Sequence, residues 1–136
     1  MIAVFIMTIF IVLSLWHLYW LFGGRVGSEV VIPELNGKPL FRPSAVATLS
    51  VAIILGVFAL IVGATAKLFV IGLSHELLVG LSRALALVLL LRAVGDFHYV
   101  GFFKRIRNTR FAKMDTLIYT PLCLALAVGV VAISVY

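Results

Sequence analysis

Four long, uninterrupted apolar stretches constrain this chain more than any other feature: Ile2–Phe22, Ala45–Ala66, Leu77–Val100 and Leu117–Tyr136. Each is long enough for a helix to cross a hydrocarbon core of about 30 Å, which takes about 20 residues. Backbone groups in lipid need partners within the segment, and these runs are continuous, not alternating, so helices are expected despite the Val and Ile content. Around them the 136 residues are 64% hydrophobic and 12% charged, with a mean hydropathy of +1.25. A soluble domain is about half apolar and about a quarter charged, and one this small could not hide so much apolar surface. That excludes a soluble enzyme, a disordered tail and a disulfide-stapled module. The expected fold is all-α: a single domain over residues 1–136 forming a four-helix transmembrane bundle. The first stretch has no basic flank and no clear small-x-small cleavage pattern, so a retained helix is expected and not a removed signal peptide.

The net charge of +6 takes its meaning from its distribution. The third connection carries Lys104, Arg105, Arg107, Arg110 and Lys113 against Asp115. The first carries Arg25, Lys38 and Arg42 against Glu29 and Glu34, and the second only Lys67, His75 and Glu76. Four spans put the two basic connections on one side. By the positive-inside rule they face the cytoplasm and both termini lie outside, in a cell membrane of the bacterial inner-membrane kind. The run from Lys104 to Lys113 then reads as an orientation signal meeting anionic lipid, and no nucleic-acid partner is expected. The single cysteine, Cys123, reads as an inert packed thiol.

Packing signals follow. Ser44, Thr48, Ala52, Gly56, Ala59 and Gly63 recur at three- and four-residue steps on the second span, and Gly80/Ala84 and Ala125/Gly129 repeat the small-xxx-small spacing. Such stripes let helices approach closely and can also serve as a homo-oligomer seam. The first connection is long for a helical hairpin and centres on Asn36-Gly37, which predicts a short β-hairpin at the cytoplasmic surface, either a structured linker or a lid.

Ionisable groups inside spans are costly, so each needs an explanation. Arg92, Asp96 and His98 lie in the inner half of the third span, His17 near the inner end of the first beside Tyr19 and Trp20, and Asp115 and Tyr119 at the start of the fourth. The topology gathers them at one level. The plain reading of Arg92 and Asp96, four apart on one face, is a structural ion pair. Asp115 and Thr116 both stand where a helix N-cap would. Trp16, Tyr19, Trp20, Tyr99 and Phe102 fit an interfacial belt, His75 and Glu76 a solvated connection, and Arg83 a side chain that snorkels outward.

Known catalytic and metal-ligand spacings are absent, so no metal is expected. Two histidines at one depth, His17 and His98, could ligate haem from facing helices or serve as plain hydrogen-bonding groups, and the cofactor stays unknown. An internal echo pairs His17 and Phe41-Arg42-Pro43 with His98 and Tyr119-Thr120-Pro121, as if two helical hairpins were repeated with a site between them.

The chain resembles a family of small bacterial membrane proteins, domain of unknown function 3995. The resemblance rests on His17-x-Tyr19-Trp20, Gly23-Gly24, Pro33 and Phe41-x-Pro43 in the first half. In the second it rests on Arg92-Ala-Val-Gly95-Asp96-Phe97, Gly101, Lys104, Thr109-x-Phe111, Asp115 and Tyr119-x-Pro121-Leu122. It implies a multi-span membrane protein and leaves the activity open. Three readings stay open. In a binder of membrane lipid or a small amphipathic ligand, Arg92 and Lys104 hold an anionic group and Trp20 and Tyr119 line the apolar part. In a membrane enzyme acting on a lipid or isoprenoid, His17 or His98 is the acid or base and Asp96 orients it. In a structural or accessory subunit the cluster is an internal lock.

Overall fold

The computed structural model describes residues 1–24, 34–35, 38–39, 44–94 and 114–135. Among the described residues, four helices are long and apolar enough to cross a membrane: α1 (Ile2–Leu21), α2 (Ala45–Thr65), α3 (His75–Val94) and α4 (Asp115–Val135). They form a small multi-pass membrane bundle. Only 17–33% of each apolar window is buried, so most Leu, Ile and Val side chains face outward, as lipid requires and water would not allow. Between α1 and α2, β1 (Glu34–Leu35) and β2 (Lys38–Pro39) pair antiparallel, Leu35 opposite Lys38. The intervening Asn36-Gly37, and with it the expected turn, lies outside the described residues, as does the basic run from Lys104 to Lys113.

The helices pack as two antiparallel hairpins, α1 with α2 and α3 with α4, whose pairings are the most extensive in the molecule. Small residues explain the first. Ala52 and Ala59 are buried on α2, Ser14 of α1 donates to the Ala52 carbonyl at 2.7 Å, and a Cβ on Gly63 would come within 2.9 Å of Met7 Sδ. The stripe Ala52–Gly56–Ala59–Gly63 therefore seats α1, while Ser44 caps the helix by accepting from Ala47 N–H at 3.1 Å. Gly129 of α4 admits Ile6 of α1. Gly80 and Ala84, by contrast, are exposed, with nothing within 4 Å of a Cβ at Gly80. The core joins Ile6 and Phe10 to Val62, Leu85, Leu89, Leu126 and Val130, with Phe10 edge-on to Phe58 at 5.7 Å.

Helix ends show the local chemistry. α1 and α2 both finish in a Schellman motif, with paired bonds from Gly24 N–H to Tyr19 O and Gly23 N–H to Trp20 O, and from Leu68 N–H to Gly63 O and Lys67 N–H to Ala64 O. The left-handed residue is Gly23 (φ 97°) in the first but Lys67 (φ 62°) in the second, a strained choice for a side chain. α3 starts two residues earlier than the hydropathy suggested. Ser74 accepts from Leu77 N–H and supplies the first helical carbonyl to Leu78, so His75 and Glu76 form the exposed first turn and not a loop, with Glu76 favourable against the helix dipole.

The end of the bundle where α1 and α3 stop and α2 and α4 begin adjoins the basic connections and is called the basic end below. The chain start and the α2–α3 turn mark the opposite end. Near the latter, Ser82 and Thr65 are buried and their hydroxyls lie 2.8 Å apart. Thr65 donates to Ile61 O at 2.7 Å, so Ser82 is the donor between the helices.

Candidate functional site

Arg92 lies in the last turn of α3 and Asp115 opens α4. Arg92 Nη2 donates to Asp115 Oδ1 at 2.6 Å. The carboxylate is wholly buried and the Arg92 side chain is 29% exposed. A charge-assisted bond this short clamps α3 to α4 and cancels most of the charge that each would carry alone. The expected partner Asp96 lies outside the described residues, as do His98 and Lys104. Helical spacing made Asp96 visible as a neighbour. The pairing with Asp115 depends on how α3 and α4 face one another, which spacing along one helix does not reveal.

The start of α4 is not an ordinary helix. Asp115–Tyr119 form a π turn, closed by Thr120 N–H bonding to Asp115 O five residues back. Pro121 supplies the cause. Inside a helix its ring crowds the carbonyl four residues earlier and it has no N–H to offer, and a widened turn relieves both faults. Pro121 is thus within the helix and does not open it, unlike Pro43, which precedes the Ser44 cap. Nor is Asp115 an N-cap. Met114 before it is already helical (φ −65°, ψ −38°), and Asp115 turns instead toward α3.

Among the described residues, two buried polar atoms at this place have no hydrogen-bond partner, Arg92 Nη1 and Thr120 Oγ1. Thr120 is fully buried. The hydroxyls of Thr8, Thr48 and Thr65 each donate to the carbonyl four residues back. Thr120 makes no such bond, because the π turn moves that carbonyl out of register. Buried donors without acceptors are rare, and each one calls for an explanation such as a ligand or ordered water. Tyr119, half-buried, and Cys123, one helical turn further along α4, both sit within electrostatic reach of Arg92 and Asp115.

The α1 candidates stand at the same end. Ile6 packs at Gly129, so His17, eleven residues on, reaches the level of about Ile118 on the antiparallel α4. His17 Nδ1 donates to Leu13 O at 2.8 Å, which in the neutral ring leaves Nε2 as the acceptor. The ring stacks edge-on against Trp20 at 5.0 Å. Trp16 stacks on Tyr19 and Trp20 at 6.1 and 6.3 Å. Among the described residues no hydrogen bond joins His17 to Arg92 or Asp115, and no group of His, Cys, Asp and Glu could hold a metal ion. His98, the other member of the haem-ligating pair considered above, is not described.

Sequence reasoning missed the Arg92–Asp115 pairing, the buried, unpartnered hydroxyl of Thr120, and Cys123 as a neighbour of the charges. One signal was available. A proline seven residues into an apolar run that starts at an aspartate marks a disturbed first turn.

Neither a curated protein nor a solved structure matches the chain. Residues 10–130, which include Arg92, the π turn and Thr120, match the family described as Protein of unknown function (DUF3995). The match covers nearly the whole bundle, and the chain belongs to that family.

Proposed function

We propose that this membrane protein binds a lipid, a lipid headgroup or another small amphipathic molecule at the polar cluster of the basic end, and that this end faces the cytoplasm of a bacterial cell. The observation that carries the reading is the pair of buried, unpartnered donors, Arg92 Nη1 and Thr120 Oγ1, beside an arginine whose charge is already met by Asp115. Such a site asks for an acceptor oxygen within an otherwise apolar molecule, and an ester, carbonyl or phosphoryl oxygen of a membrane amphiphile supplies one. Tyr119 and Trp20 offer aromatic surface on α4 and α1 at that level, and Lys104 adds a cation from the basic connection. The orientation follows from the basic connections.

A second reading, an internal lock without ligand, is favoured by the complete burial of Asp115. The experiment that separates the two is native mass spectrometry of protein purified in mild detergent, with an absorption spectrum of the same sample. Binding gives a bound amphiphile that is lost in Arg92→Gln. A wild-type chain of bare polypeptide mass with a featureless visible spectrum supports the lock.

A further inference from the structure

We infer that the groove between α3 and α4 toward the opposite end binds an anionic phospholipid, Arg83 holding its phosphate and the groove one acyl chain. Arg83 is exposed on the outside of the bundle, eight residues into α3. Among the described residues it makes no ion pair. Charged side chains within spans ordinarily turn inward and find a partner, so an outward arginine needs one from the lipid. Its outward direction is built in. The preceding residue, Ser82, is fully buried and bonded to Thr65 of α2, which fixes the rotation of α3, and the next residue points about 100° further round.

Arg83 borders a groove of about 380 Å³ whose α3 wall runs on through Leu87 and Leu90 and whose α4 wall is Leu124, Val128 and Val131. That volume is in the range of small-ligand sites, and every member named here except Arg83 is apolar. Arg83 lies about 12 Å along the helix from His75, and a snorkelling guanidinium shortens the distance to the headgroups. Along α3 the chemistry is polarised: a planar cation suited to a two-point phosphate contact on the side nearer the headgroups, and Leu87 and Leu90 toward the membrane centre. An anionic phospholipid in that leaflet matches both ends. The site is about 14 Å along α3 from Arg92 and independent of the function proposed above.

The test uses the full chain in nanodiscs of phosphatidylglycerol and phosphatidylcholine at a known ratio, with the lipids that stay bound counted by native mass spectrometry. The expected result is enrichment of phosphatidylglycerol among bound lipids by about fivefold over the bulk ratio, the contribution of one cation near the surface. Arg83→Met removes the enrichment, and Leu87→Trp, which fills the groove and keeps the charge, lowers the number of bound lipids. Both residues face outward, so melting temperature stays at the wild-type value. Enrichment unchanged in Arg83→Met overturns the proposal. So does a wild-type dimer that Leu87→Trp dissociates, since a second copy would then occupy the groove.

Discussion

Removing either end of the Arg92–Asp115 pair does unequal damage, and the inequality can be worked from burial. Arg92→Met takes the guanidinium away from a carboxylate that is 0% exposed. Breaking a buried pair in this way costs about 3–5 kcal/mol. Asp115→Leu leaves Arg92, whose side chain is 29% exposed, free to swing its guanidinium toward the headgroups, which lowers the cost to about 1–3 kcal/mol. The double variant Arg92→Met/Asp115→Leu buries no charge and replaces the pair with apolar groups of similar size, so its stability lies within about 1 kcal/mol of wild type. The coupling between the sites is therefore several kcal/mol and of the sign that makes the double variant milder than the sum of its parts. Reversible unfolding in mixed micelles titrated with sodium dodecyl sulfate, followed by far-ultraviolet circular dichroism, reads all four proteins. A double variant as unstable as the two singles added together, or Arg92→Met milder than Asp115→Leu, refutes the reasoning.

Other consequences are smaller. Ser82→Ala removes the hydroxyl bonded to Thr65 at 2.8 Å and lowers stability by about 0.6–1.7 kcal/mol in the same titration. Gly63→Val sets new carbon against the Phe69 ring and Met7 Sδ and costs about 1–3 kcal/mol, whereas Gly80→Ala meets open space and raises stability by about 0.5–1 kcal/mol. Lys67→Gly relieves a left-handed residue at φ 62° and raises stability by about 1 kcal/mol; an unchanged midpoint would show that the turn carries no strain.

What could be read from the residues was set by how locally each feature is determined. Four spans emerge from hydropathy alone because lipid imposes the same demand on every turn of a helix. The stripe from Ala52 to Gly63 also reads correctly, since the residues that meet α1 lie on one helix at fixed steps. The start of α3 was misplaced by two residues because Ser74, a cap, carries little hydropathy signal. The partner of Arg92 is a problem of another order. Asp96 is a neighbour by spacing, but Asp115 becomes a partner only when α3 and α4 are docked and the π turn at Pro121 has advanced the phase of the helix. Thr120 shows the same limit. A threonine in an apolar run looks self-satisfied, as Thr8 and Thr65 are, until the turn beneath it is known to be widened.

The central claim is that the unpartnered donors beside the Arg92–Asp115 pair hold an amphiphile. The most direct measurement compares native mass spectra of the wild type and of Arg92→Met/Asp115→Leu, a variant expected to fold while lacking the arginine donor. Binding requires a bound molecule on the wild type that the folded double variant does not retain. The same bound mass on both proteins, or none on the wild type, contradicts it.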